Sequence, residues 1–277
     1  MITRDLNHWG EFEGALRELN DQFAREREEG RSVSKVLFRG QRRACWTLST
    51  TLERYNPVSL SYSNYYRAIS SAKPEIEAYS GRLWEIEPIS DYEIRCRDSD
   101  STFKMMIDAP GYEYMAYLRH HGFPSPLLDW SRSPYVAAFF AFRDVVESDD
   151  RVAIYGYREH AGTGKVTSPS EPSIIMRGPY IRTHKRHFIQ QCGYTVCGMF
   201  RDGQWRYVPH DEAFMQSGDS QDVLWKCTLP SSDVTRVLDN LDEHNINAYS
   251  LFGSEDALME TMAARELDRA NTDPSTR

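Results

Sequence analysis

Four segments decide the fold: RVAIYGY (Arg151–Tyr157), PSIIMRG (Pro172–Gly178), YTVCGMF (Tyr194–Phe200) and DVLWKCTL (Asp222–Leu229). Each is short, rich in β-branched and aromatic residues, and bounded by Gly, Pro or Ser, the pattern of strands separated by turns. Their succession predicts a meandering sheet, and Leu229-Pro230 closes its last strand. Upstream, SVSKVLFRGQ (Ser32–Gln41) reads as a further strand that delivers Arg39 at its C-terminal end, with Gly40 as the breaker. Helical spacing surrounds these strands. Ser133 is placed to cap a helix that begins at Pro134 and turns Val136, Phe139, Phe140 and Val145 inward. A helix follows Gly111, another carries Val234, Val237, Leu238 and Leu241, and a last one runs from Glu255 to about Leu267. Residues 56–108 are polar and aromatic without a clear period, with Pro57, Pro74 and Pro88 read as interruptions. The expected class is therefore α+β, a largely antiparallel mixed central sheet with helices packed around it.

At the N-terminus, Trp9, Phe12, Leu16, Leu19 and Phe23 share one helical face, so residues 1–30 read as an amphipathic cover or docking helix. Residues 31–267 form the main domain and residues 268–277 a polar, disordered tail. No apolar run approaches the ~18 to 20 residues that span a bilayer, and the first residues lack the profile of a signal peptide. The expectation is a cytoplasmic protein with no membrane partner. The five cysteines are an odd number without paired short spacings, which points to buried thiols rather than a disulfide framework or a structural metal.

A net charge of -8 excludes a surface that is wholly a nucleic-acid platform. The charge is uneven. Residues 75–100 hold eight acidic side chains against three arginines, whereas the run Arg177–His187 holds Arg177, Arg182, Lys185 and Arg186 with no acid. Arg39, Arg42 and Arg43 form a second basic knot. If the two meet, an acidic protein contains a positive pocket for an anionic small molecule or a single nucleic-acid strand; apart, they are solvated faces.

The stretch Leu118–Phe142 concentrates candidate chemistry: His120, His121, Asp129, Trp130 and Ser131 lie in what reads as an extended loop between helices. The helix starting at Pro134 offers backbone N–H groups nearby, a possible anion or oxyanion seat. The plainer alternative makes Asp129 and Ser131 local caps and leaves the histidines bonded to backbone. No third ligand stands at helical or strand spacing from His120 and His121, so no metal is expected.

FRGQ (Phe38–Gln41), LSTTLER (Leu48–Arg54), HHGFPSPLLDWSRSPYVAAFFAF (His120–Phe142), QQCGYTV (Gln190–Val196) and LDNLDEHNINAYSLF (Leu238–Phe252) together resemble the FRG domain family over about four-fifths of the chain. Ser125-Pro126 stand where the family more often has Thr-Arg, which removes a cation, and Ser131 replaces a common Thr while keeping the hydroxyl. The order of Arg39, Ser131 and Gln191 is in turn similar to the Arg–Ser–Glu plan of NAD-consuming ADP-ribosyltransferases, which implies an ADP-ribosyltransferase-like core and NAD as substrate. On that resemblance Arg39 grips the pyrophosphate, with Arg54 or Arg186 adding a second guanidinium; Ser131 buttresses the site; Trp130 or Tyr194 stacks on nicotinamide; and Gly40, Gln41 and His121 complete the cofactor contacts. Gln191 stands where the plan places a glutamate. An amide holds a ribose hydroxyl but is no base, so either Asp129 supplies the carboxylate or the acceptor is intrinsically nucleophilic.

Three functions follow as expectations. The first is an ADP-ribosyltransferase or NAD-cleaving enzyme, a toxin or anti-phage effector acting on nucleic acid or protein, with an antitoxin or regulatory partner. The second is a non-catalytic nucleotide- or nucleic-acid-binding module. The third is a scaffold that docks through its N-terminal helix.

Overall fold

The computed structural model describes residues 1–31, 33–97, 111–146, 150–160, 165–178, 182–183, 185–216 and 221–268. Its strands are β1 (Ile2–Asp5), β2 (Leu37–Gln41), β3 (Leu128–Ser131), β4 (Arg151–His160), β5 (Ser173–Arg177), β6 (Cys192–Arg201), β7 (Gln204–Tyr207) and β8 (Gln221–Pro230). They form one sheet in the order β1-β8-β4-β2-β3-β6-β5, with β7 paired to β6. Only β1 on β8 is parallel; the other ladders among the described residues are antiparallel. The class is α+β, with a largely antiparallel mixed sheet. The path differs from the expected meander, because β2 and β3 slot between β4 and β6. The anticipated loop at Asp129–Ser131 is one of these central strands: Leu128, Trp130 and Ser131 are buried and pair with β6. Its four residues are too few to show a period of their own, which is why they read as loop.

The helices are α1 (Trp9–Glu28), α2 (Thr51–Tyr55), α3 (Tyr62–Ser80), α4 (Ile89–Arg97), α5 (Tyr112–His120), α6 (Pro134–Phe142), α7 (Lys185–Ile189), α8 (His210–Gln216), α9 (Val234–Glu243), α10 (Ala248–Phe252) and α11 (Glu255–Ala263). Ser133 caps α6 through a bond from the Val136 N–H, and Pro134 sits in the first turn, where its missing N–H costs nothing. Pro74 lies inside α3 and does not end it. The turns before it are anchored by buried Tyr62, Tyr65, Tyr66 and Ile69, and this packing outweighs the proline's cost of about 3 kcal/mol.

Both faces of the sheet are covered. Along β4, Val152 and Ile154 pack with Trp9, Phe12 and α6 in one cluster, while Ala153, Tyr155 and Tyr157 pack with Trp130 and Leu224 in another. A third cluster gathers Tyr65, Tyr66, Tyr114 and Tyr194 between α3, α5 and β6. The N-terminal helix buries Trp9, Phe12 and Phe23 within the domain, and β1 extends the sheet, so residues 1–30 are not a detached docking element. The described cysteines are free thiols, three of them buried. No described helix is long and apolar enough to cross a membrane. The tail expected at 268–277 lies, beyond Asp268, outside the described residues.

Candidate functional site

β2 and β3 pair at a single position, Phe38 with Ser131. Beyond it the Arg39 guanidinium takes the place of a ladder bond: its Nη1 donates to the Asp129 carbonyl at 2.8 Å. The next residue must be glycine, because a Cβ on Gly40 would sit 1.9 Å from the Ala137 carbonyl oxygen and 2.5 Å from the Ala141 nitrogen. Helix α6 thus lies directly on the β2 backbone. These contacts explain the Phe-Arg-Gly order: Phe38 packs against the core cluster under α6, Arg39 spans the gap between strands, and Gly40 admits the helix.

The gap opens into a cleft of about 340 Å³, lined by Arg39, Asp129 and Ser131 together with Arg119 from α5, Arg186 from α7 and Phe252 at the end of α10. The two basic segments therefore meet, Arg39 from one and Arg186 from the other. Arg119 pairs with Asp129. Burial brings the Arg39 pKa down to about 10, with Asp129 opposing the shift and the cations Arg119 and Arg54 adding to it. Arg39 Nε, Arg119 Nε and Asp129 Oδ1 are buried without a hydrogen-bond partner among the described residues. The Asp129 carboxylate thus enters the cleft with one oxygen paired to Arg119 and the other without a hydrogen bond among the described residues. A recess of about 440 Å³ adjoins it, sharing Arg39, Gly40 and Phe140 and adding Gln41, Arg42, Trp46 and Arg54.

The family model described as FRG domain matches residues 34–150. The chain carries an FRG domain. Comparison with curated proteins and with solved structures finds no match. The matched FRG segment contains β2, β3 and α6 but ends where β4 begins. Its cleft is completed from outside that segment by Arg186, Gln190, Cys192 and Phe252.

Not every residue expected at the FRG site faces it. Gln191 is exposed, does not line the cleft, and holds a left-handed backbone at φ 51°. Its neighbour Gln190 is the one turned inward, with its amide donating to the Leu251 carbonyl at 3.0 Å. At this corner between α7 and β6 the Gln191 carbonyl accepts the Arg132 N–H at 3.0 Å, and the Gln191 side chain is exposed. Trp130 belongs to the cleft lining but is 2% exposed, and its indole donates to Thr195 Oγ1 at 2.8 Å, which makes the ring an anchor of the core. Tyr194 is fully buried and serves the same structural purpose. His121 is exposed, packs at a tilt against Tyr117, and does not line the cleft; partial burial and the nearby Arg186 lower its pKa. Ser131 does sit in the cleft wall, where its hydroxyl donates to the Gln190 carbonyl at 2.8 Å and accepts the Ser133 N–H at 3.0 Å. That pair of bonds locks β3 to the α7–β6 corner. Ser133 already occupies the Val136 N–H, which narrows the anion seat expected at the start of α6. Gln41 and Arg54 belong to the adjoining recess, with Gln41 bonded to the Thr47 carbonyl and Arg54 to that of Ser49.

Arg119 escaped the sequence reading because it is one cation in a helix whose visible signal is its apolar stripe. The other unforeseen group is His120, His187 and Cys192, whose donor atoms converge although 67 and 5 residues separate them along the chain. Burial pushes the Cys192 thiol up to about 12.

Proposed function

We propose that the cleft binds NAD by its diphosphate and breaks the nicotinamide–ribose bond, so that the domain acts as an ADP-ribosyltransferase or NAD-cleaving enzyme. The observation that carries this reading is the convergence of Arg39, Arg119 and Arg186 on a cleft whose lining includes one carboxylate, Asp129. Guanidiniums suit a diphosphate because their planar donor forks match its oxygens. The anomeric carbon gains positive charge as the carbon–nitrogen bond opens and the electron pair leaves with nicotinamide. A carboxylate beside that carbon stabilises the charge. Water or an acceptor then bonds the carbon and releases its proton. Arg119 holds Asp129 in place for this role. The recess next to the cleft suits a nucleic-acid acceptor, since Trp46 is 45% exposed there with the Arg42 and Arg43 guanidiniums 5.3 and 5.8 Å from its ring. Such an activity fits a toxin or anti-phage effector held in check by a neutralising partner.

Incubating the purified protein with NAD labelled in the adenylate moiety, with and without RNA or lysate, tests the reading. Free nicotinamide and labelled acceptor are expected from the wild type, with the rate falling at least ~100-fold in Arg39→Ala and Asp129→Asn. Absence of nicotinamide release from the wild type rejects cleavage. Binding without turnover is the second reading, favoured by Gln191 lying outside the cleft and by Asp129 being engaged with Arg119. It requires that NAD be recovered intact from a saturated complex.

A further inference from the structure

The donor atoms of His120, His187 and Cys192 all lie within 4.8 Å of one another. His120 ends α5, His187 is a buried residue of α7 and Cys192 opens β6, so three separate elements bring them together. We propose that these side chains form a binding site for a divalent transition cation of the zinc class, open to the cleft on its fourth side. Two imidazoles and a thiolate are the nitrogen and sulfur donors that zinc and its borderline-soft neighbours prefer, and calcium or magnesium would reject them.

The surroundings fit a cation site better than a chance meeting of side chains. The Tyr194 hydroxyl lies 2.7 Å from His120 Nε2 and 3.1 Å from His187 Nδ1, bonding both rings. A ring that holds a cation through one nitrogen carries its proton on the other, so both imidazoles donate to the Tyr194 oxygen, whose two lone pairs accept both bonds and fix the orientation of both rings. Metal-held imidazoles commonly keep one nitrogen in an orienting bond of this kind. The Tyr194 ring also stacks on His187 at 5.6 Å and 17°, which restrains that ring further. His120 and Cys192 line the cleft while His187 is 1% exposed. A cation bound here has protein on one side and a ligand-accessible position on the other, the arrangement of three protein donors with one exchangeable place. Arg39, Arg119 and Arg186 are the like charges lining the same cleft. Against them stand the thiolate that Cys192 forms by releasing its proton on binding, and the Asp129 carboxylate, whose buried Oδ1 has no hydrogen-bond partner among the described residues. Asp129 lies directly across the β3–β6 ladder from Tyr194.

Cobalt(II) titration of the full chain, freed of metal and kept reduced, tests the site without any nucleotide, so its outcome is independent of the NAD reading. One equivalent should give the visible bands of tetrahedral cobalt and a sulfur-to-cobalt charge-transfer band, and one equivalent of zinc should displace both. Cys192→Ser should lose the charge-transfer band. His120→Ala, at a half-buried position, should weaken cobalt binding at least ~100-fold while keeping the wild-type unfolding profile, and Tyr194→Phe should weaken it roughly 10- to 100-fold. A folded wild type that shows no cobalt bands overturns the proposal. So does binding of wild-type strength in His120→Ala, which would place the metal elsewhere. In either case the cluster is a histidine–tyrosine–histidine hydrogen-bond chain and no more.

Discussion

The segment that matches the FRG family, residues 34–150, and the segment that follows it contribute to the molecule in different ways. The first holds two short strands, β2 and β3, and most of the cleft's polar groups, Arg39, Arg119, Asp129 and Ser131. The second holds the ten-residue strands β4, β6 and β8 that give the sheet its breadth. Neither closes the cleft alone. The first segment inserts its strands between β4 and β6, and the second returns Arg186, Gln190 and Phe252 as the opposite wall. The family signature therefore marks where most of the cleft's polar groups lie, while the cleft exists only when the long strands behind it have assembled.

Substitutions that strike one segment or the other separate these contributions. The largest effect is expected for Gly40→Ala, because the added methyl meets helix backbone that has nowhere to retreat. A loss of ~3 kcal/mol in urea unfolding is expected. Gly193→Ala in the second segment meets only the flexible Leu37 side chain, at 3.1 Å, and should cost about a third as much. Next comes acid sensitivity through His210. Burial, with the cations Arg39 and Lys165 nearby, lowers its pKa from 6.5 to about 3, and Thr195 Oγ1 bonds its Nε2 at 2.9 Å. Between those pH values the unfolded chain holds the proton and the folded chain does not. Stability should therefore slope downward as pH falls through this window. The difference between wild type and His210→Gln, measured by unfolding at several pH values, should carry that slope.

Arg186→Ala removes a guanidinium contributed by the second segment and should weaken ADP-ribose binding about tenfold, on the order of 1.4 kcal/mol, with little change in the unfolding midpoint. Unchanged affinity would mean that the second segment contributes shape alone. The smallest effect is expected for Gln191→Gly. Relief of the left-handed backbone should leave stability equal or raise it by up to ~1 kcal/mol, and ligand affinity should not move.

The sequence made the scaffold more readable than the site. The four strand segments, the Ser133-Pro134 helix start and the strand that carries Arg39 were visible because each stretch has enough residues to show a period or a cap. β3 was not, since four residues inside a proline-rich connection look like loop. Arg39 and Ser131 were found by motif and do share a wall. Gln191 and Gln190 could not be told apart, because which of two adjacent amides turns inward depends on the left-handed residue at the α7–β6 corner. Trp130 and Tyr194 looked like stacking platforms only because burial is invisible in a single sequence. The meeting of His120, His187 and Cys192 depends on α5 and α7 both packing on β6, a tertiary fact with no local trace.

Calorimetric titration of ADP-ribose into the wild-type protein and Arg39→Ala tests most directly whether the cleft shared by the two segments grips a diphosphate. The expected result is one site per chain, weakened by added salt and by at least ~100-fold in Arg39→Ala, with adenosine binding far more weakly than ADP-ribose. Equal affinity in wild type and Arg39→Ala, or equal affinity for adenosine and ADP-ribose, would contradict it.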